Sequence, residues 1–200
     1  MKILIVGATG LIGGKVADSL SENHDVIRAG YSDGGVKVDL GSKASIEAMF
    51  KTVGKVDAVI STAGLAGFAP FNDLDDAAYE LALGNKLMGQ VNLVRVGQSY
   101  VNDGGSFALT AGILSREPMP GSVVISLANG ALESFAKATA LELDRGLRVN
   151  TISPVFVKET MEKMSMDPSS GLSAADTAKA YVAAVEGNMN GETLDAPDYV

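Results

Sequence analysis

The stretch "ILIVGATGLIGGKVADSL", residues 3–20, sets Gly7, Gly10 and Gly13 three apart between an apolar run and a helical pattern. At the exit of a buried strand, that GxxGxxG spacing suits a pyrophosphate. Gly7 allows the tight turn, Gly10 lets the backbone come close to phosphate, and Gly13 lets the helix pack on the strand. Free N–H groups and the helix dipole then meet the negative charge. Thr9, Leu11 and Ile12, which fill the turn and the first helical positions, complete the expected phosphate-binding set. The next apolar run ends in "RAGYS", residues 28–32, with no acid to take an adenosine 2′-hydroxyl. Arg28 or the Tyr31-Ser32 turn is expected to receive a 2′-phosphate instead. The expected cofactor is therefore NADP, and Asp33, one residue beyond, keeps NAD open.

Other chemistry is sparse. There is no cysteine and one histidine, His24, in a turn-like context, which excludes disulfides and thiolate catalysis and leaves no set of zinc ligands. With 24 acidic and 16 basic residues the formal charge is −8, so neither nucleic acid nor an anionic membrane is an expected partner. The N-terminal apolar run is too short for a signal peptide or a membrane span, and the expected location is cytoplasmic. Residues 122–132, "SVVISLANGAL", carry no titratable side chain.

Apolar runs at 3–6, 25–30, 56–61, 106–110 and 148–153 alternate with helical patterns. Ile46, Met49, Phe50 and Val53 predict a helix begun near Ser42. Further helices are predicted over about 86–100 and 174–186. Another carries Leu132, Phe135, Ala136 and Leu143 and closes at Gly146. Runs apolar on both faces, joined by helices, imply an α/β doubly wound parallel sheet of Rossmann type in one domain over 1–200, with six or seven strands, the last near 192–196. The segment 158–173 lacks a period and reads as a mobile substrate flap.

Several dispersed segments now fall in one order: "VDL" at 38–40, "STAG" at 61–64, Asn85 in "GNKLMG", "GGSFALTAG" from 104, "ALESFAKATALEL" from 131, and "RVNTISPVFVKET" from 148. Together with the glycine loop they resemble the short-chain dehydrogenase/reductase family along essentially the whole chain. That resemblance implies an adenine contact at Asp39 beside Leu40 and a cofactor floor at Ser61, Ala63 and Gly64. It also implies a turn flanking the nicotinamide at Pro154, Val155 and Val157. Val155 stands where the family has glycine, and "STAG" replaces two asparagines.

The family transfers hydride between nicotinamide and a carbonyl or alcohol, using Tyr, Lys, Ser and Asn. Asn85 matches the Asn. The Tyr and Lys positions fall on Ile125 and Asn129, and the Ser position falls on Gly112, with Thr110 and Ser115 the nearest hydroxyls. A positioned acid/base contributes about 10² to 10⁴ in rate. Its loss leaves an oxidoreductase acting on a small carbonyl or on an activated, conjugated acceptor, in which Asn85 and Thr110 orient the substrate. A catalytically silent NAD(P) sensor and an assembly protein remain as alternatives. The resemblance also implies a homodimer or homotetramer through the helices near 86–100 and 129–143, whose Gly89, Gly97, Ala136 and Ala140 permit close approach.

Overall fold

The computed structural model describes residues 1–200. Seven strands, β1 (Lys2–Val6), β2 (Asp25–Gly30), β3 (Val36–Lys37), β4 (Val56–Ser61), β5 (Val101–Thr110), β6 (Arg148–Ser153) and β7 (Thr193–Asp195), form one sheet in the order β3-β2-β1-β4-β5-β6-β7. Every pairing is parallel. Helices α1 (Leu11–Ser21), α2 (Lys43–Val53), α3 (Asp76–Leu81), α4 (Met88–Gly97), α5 (Val123–Thr139), α6 (Lys158–Lys163) and α7 (Ala174–Glu186) complete the chain.

The period of two along β1 divides the core. Ile3 and Ile5 meet Val16 and Leu20 of α1 and Tyr181 of α7, while Leu4 and Val6 meet Phe50 of α2, Leu93 of α4 and Leu132 of α5. A sheet buried on both faces must offer its ligand site at the carboxyl ends of the strands, beside the reversal of order between β1 and β4.

The expected helix at Ser42 is present: Ser42 caps α2 by accepting from Ser45 N. Other boundaries differ from expectation. The neutral stretch is itself helical from Val123, with Val124, Ala128 and Asn129 buried, and α5 ends at Thr139 rather than near Gly146. The helix expected from Lys86 starts ten residues earlier, where Asp75 accepts from Ala78 N, and a π-helical turn over Ala82–Leu87 joins α3 to α4. The segment 158–173, expected to form a substrate flap, contains regular structure. It holds α6 and a 3-10 turn, Lys158 N donates to Leu172 O at 2.9 Å, and the Glu159 carboxylate accepts from Ala174 N at 3.1 Å.

The small residues expected to face a second copy pack inward instead. A Cβ on Gly89 would stand 2.8 Å from Leu40, one on Gly97 would stand 2.7 Å from Phe50, and Ala136 is fully buried. Ala140 packs against the same core. No helix is long and apolar enough to cross a membrane.

Phe107, fully buried on the central β5, fills the space beside Gly97. Phe107→Ala is expected to cost about 3–5 kcal/mol, read as a lower midpoint with unchanged slope in urea denaturation.

Candidate dinucleotide and substrate site

The turn after β1 is built from backbone. Gly7, at φ 89°, donates to Ala29 O at 2.9 Å, and Gly10 N returns to Gly7 O at 2.9 Å. Gly10 precedes α1 with no side-chain cap and no acid in the first turn, so the helix N-terminus keeps its donors for an anion. A Cβ on Gly13 would stand 2.1 Å from Gly7 O, so only glycine lets the helix approach the strand this closely.

Two clefts open at the carboxyl edge of the sheet. The larger, about 590 Å³, is walled by Gly7, Thr9 and Gly10, by Tyr31, Asp39 and Leu40, and by Ala63, Gly64 and Asn85. Asp39 Oδ1 accepts from Gly41 N at 2.8 Å, which orients the carboxylate in the wall of the larger cleft. The smaller, about 200 Å³, is walled by Ile12, Ile125, Asn129, Pro154, Val155 and Val157 among others. None of its lining side chains titrates.

The remaining expected residues lie elsewhere. Arg28 pairs with Asp18 of α1 at 2.8 Å and walls neither cleft, so a 2′-phosphate would have to rely on the exposed turn that begins at Tyr31. Ser32 Oγ donates to Asp33 Oδ2 at 3.0 Å, and Leu11 is exposed outside both walls. Ser61 is fully buried, its hydroxyl on Ala63 O at 3.3 Å, and so supports the floor from below. Asn85 Oδ1 accepts from Leu65 N at 2.9 Å, tying down the loop after β4, and it borders the larger cleft rather than the one beside Ile125. The Thr110 hydroxyl donates to Ser61 O at 2.5 Å and stands 2.6 Å from the Tyr181 hydroxyl. With its one proton spent on Ser61, Thr110 accepts from Tyr181, whose own pKa is raised by burial.

Sequence reasoning missed Lys86. It is buried on the π-helical turn, and Nζ lies 3.4 Å from both Thr110 O and Ala111 O. Burial, with no opposing carboxylate, lowers its pKa to about 8. Beside it, Gln90 clasps Thr110 through N at 2.7 Å and O at 2.9 Å. Asn129 Nδ2 donates to Gly112 O at 3.3 Å, while its buried Oδ1 has no partner within the protein. Ser115 donates to Glu133 at 2.6 Å, and Arg116 reaches from that carboxylate to Ser153 and Asp195.

A family model described as enoyl-(acyl carrier protein) reductase matches residues 12–187. The chain belongs to the short-chain dehydrogenase/reductase family. Among solved structures, the protein lin1944 of Listeria innocua is 39% identical, with a TM-score of 0.94 and 98% of each chain covered. A small-chain dehydrogenase in complex with NADPH is 30% identical, with a TM-score of 0.86, covering 98% of this chain and 95% of that one. The tetrahydroxynaphthalene reductase of Pyricularia oryzae is 27% identical over 155 residues, 72% of this chain. The chain spans 55% of that relative's length and 66% of that of a hydroxynaphthalene reductase of Aspergillus fumigatus.

Two outcomes follow from the geometry. Thr110→Val orphans the Tyr181 hydroxyl and should cost about 1–3 kcal/mol in urea denaturation, while NADPH affinity by fluorescence titration stays within about twofold. Lys86 has a folded pKa below its unfolded value, so the unfolded chain holds the extra proton between about pH 8 and 10.5. Stability therefore rises across that window, and wild type should gain on Lys86→Met when denaturation is compared at its two ends.

Proposed function

We propose that this protein is an NAD(P)-dependent oxidoreductase, favouring NADPH, that reduces a small carbonyl or conjugated acceptor without a tyrosine acid. The observation that carries this reading is the uncapped, all-backbone turn at Gly7–Gly13 lying between two clefts of unequal size. Such a turn fits a pyrophosphate, the larger cleft fits adenosine with Asp39 at its end, and the smaller fits nicotinamide and substrate. The NADPH bound by the 30% identical dehydrogenase supports the cofactor class. When bound, the dinucleotide supplies a hydride.

The chain's own residues then bind, orient and exclude water. Gly7, Gly10 and the start of α1 hold phosphate, Pro154, Val155 and Val157 wall the nicotinamide side, and Ile125 with Phe68 and Phe156 keeps the smaller cleft dry. Since no lining group there titrates, the reduced acceptor leaves hydride transfer as an anion and takes its proton from bulk water on release from the cleft. Acceptors that stabilise their own negative charge, such as quinones and conjugated imines, are favoured over simple ketones, because positioning is what remains of the catalysis. The same untitratable lining favours a second reading, a dinucleotide sensor that turns nothing over. Self-association through α4 and α5 belongs to the proposal as well, resting on the exposed Met88, Val123 and Leu127.

The test is NADPH titration followed by turnover on a panel of quinones, conjugated imines and simple ketones. Saturable binding with quinone turnover well above ketone turnover is expected. Binding without any turnover selects the sensor, and absence of binding to NADPH and NADH overturns both readings. Gly13→Ala should weaken NADPH at least tenfold, since its methyl group overlaps the Gly7 carbonyl.

A further inference from the structure

The resemblance leaves α5 without the family's lysine, and a cation nevertheless stands at the end of β5, delivered by another helix. We propose that Lys86 and Asn129 together hold the ribose next to nicotinamide, the Lys86 ammonium donating and Asn129 Oδ1 accepting. The proposal rests on the dinucleotide reading above.

The placement comes from what each side chain touches. A Cβ on Gly64, in the wall of the larger cleft, would stand 2.9 Å from Lys86 Cγ, so the lysine stem runs directly under that wall. Its Nζ reaches Ala111 O, and Ala111 and Asn129 belong to the wall of the smaller cleft. The pair therefore lies beneath the strip joining the two clefts. A dinucleotide with adenosine in one and nicotinamide in the other must cross there with its second ribose.

The chemistry matches a vicinal diol. An ammonium has three N–H donors, and two of them here meet carbonyls only at 3.4 Å. The Asn129 amide is oriented by Gly112 O, which needs the nitrogen, and this turns Oδ1 the other way with no donor to meet. A buried acceptor without a donor is costly, and a ribose hydroxyl supplies one. One side chain gives and the other takes, as each hydroxyl of a diol does. Without the ribose, Lys86 is a buried cation facing only neutral groups.

No acid or base opposes it from any neighbouring element. β5 brings the Thr110 and Ala111 carbonyls, the loop after β4 brings Gly64, α4 brings Gln90 and α5 brings Asn129. Glu133 of α5 is taken by Ser115 and Arg116, Tyr181 of α7 rests on Thr110, and Asp76, Tyr79 and Glu80 of α3 line a surface hollow. An anionic dinucleotide arriving beside Lys86 raises its pKa from about 8, so binding takes up a proton and weakens as pH rises past that value.

The test is the pH dependence of NADPH affinity, by fluorescence titration between pH 7 and 9, for wild type, Lys86→Met, Lys86→Arg and Asn129→Leu. Expected for wild type is a dissociation constant that rises about three- to tenfold across this range. Lys86→Met is expected to bind about tenfold more weakly at pH 7 with a flat profile, and Lys86→Arg to regain affinity while staying flat. Asn129→Leu should bind more weakly and keep the slope. If Lys86→Met binds like wild type with the same slope, the proposal is overturned and the oxidoreductase reading stands. If wild type binds neither NADPH nor NADH, both fall. Should the lysine variants not fold, the decision passes to 13C-lysine NMR of wild type: an upward shift of the Lys86 pKa with NADPH supports the proposal, and an unmoved value overturns it.

Discussion

The carbonyl groups where β5 leaves the sheet organise this molecule. At Thr110, Ala111 and Gly112 the chain turns out of the sheet, and buried carbonyls there must still find donors. Gln90 answers Thr110, Lys86 answers Thr110 and Ala111, and Asn129 answers Gly112. Those donors come from the two helices that cover one face of the sheet, so satisfying a backbone need also fixes how α4 and α5 sit beside the clefts. The site inherits its shape from that accounting.

The consequence for chemistry is a division between binding and proton transfer. What the phosphate and nicotinamide ends of the dinucleotide reading require is backbone or apolar wall: the Gly7–Gly13 turn, the uncapped start of α1, and the Pro154–Val157 turn. By the resemblance, the Tyr and Lys positions fall on Ile125 and Asn129, and these two side chains, which carry no titratable group, line the smaller cleft. The hydroxyls that remain nearby are already paired, Thr110 with Ser61 and Tyr181, and Ser115 with Glu133. Such a site can position reactants tightly and donates few protons.

Much of this was legible in the sequence, and the failures have physical causes. Alternating apolar runs and helical periods fixed the parallel sheet, because double-sided burial leaves a strong mark on composition. The glycine turn was legible because close backbone approach tolerates no other residue at Gly13. The start of α5 was hidden, since "VVIS" has strand-like residues and only tertiary packing of Val124 and Ala128 makes it helical. Arg28 misled because its partner, Asp18, lies ten residues back on α1 and becomes its neighbour only once β2 is laid beside β1. Lys86 was invisible for a related reason: an ordinary helical lysine in the sequence becomes a buried one only through the turn that carries it.

That turn has an effect beyond its own residues. An α-helix advances about 100° per residue, so a π-helical turn, which holds an extra residue, resets the phase between the segment before it and the segment after it. α3 can follow the surface and α4 can keep Leu93 and Val94 on the sheet, while the intervening residues face directions that neither straight helix would give them. Removing a single residue between Ala82 and Leu87 would restore one phase throughout and turn Lys86 out of register with the end of β5. The cation at the heart of this molecule is held there by a counting irregularity in the backbone, and an insertion or deletion matters more at this point than a change of side chain.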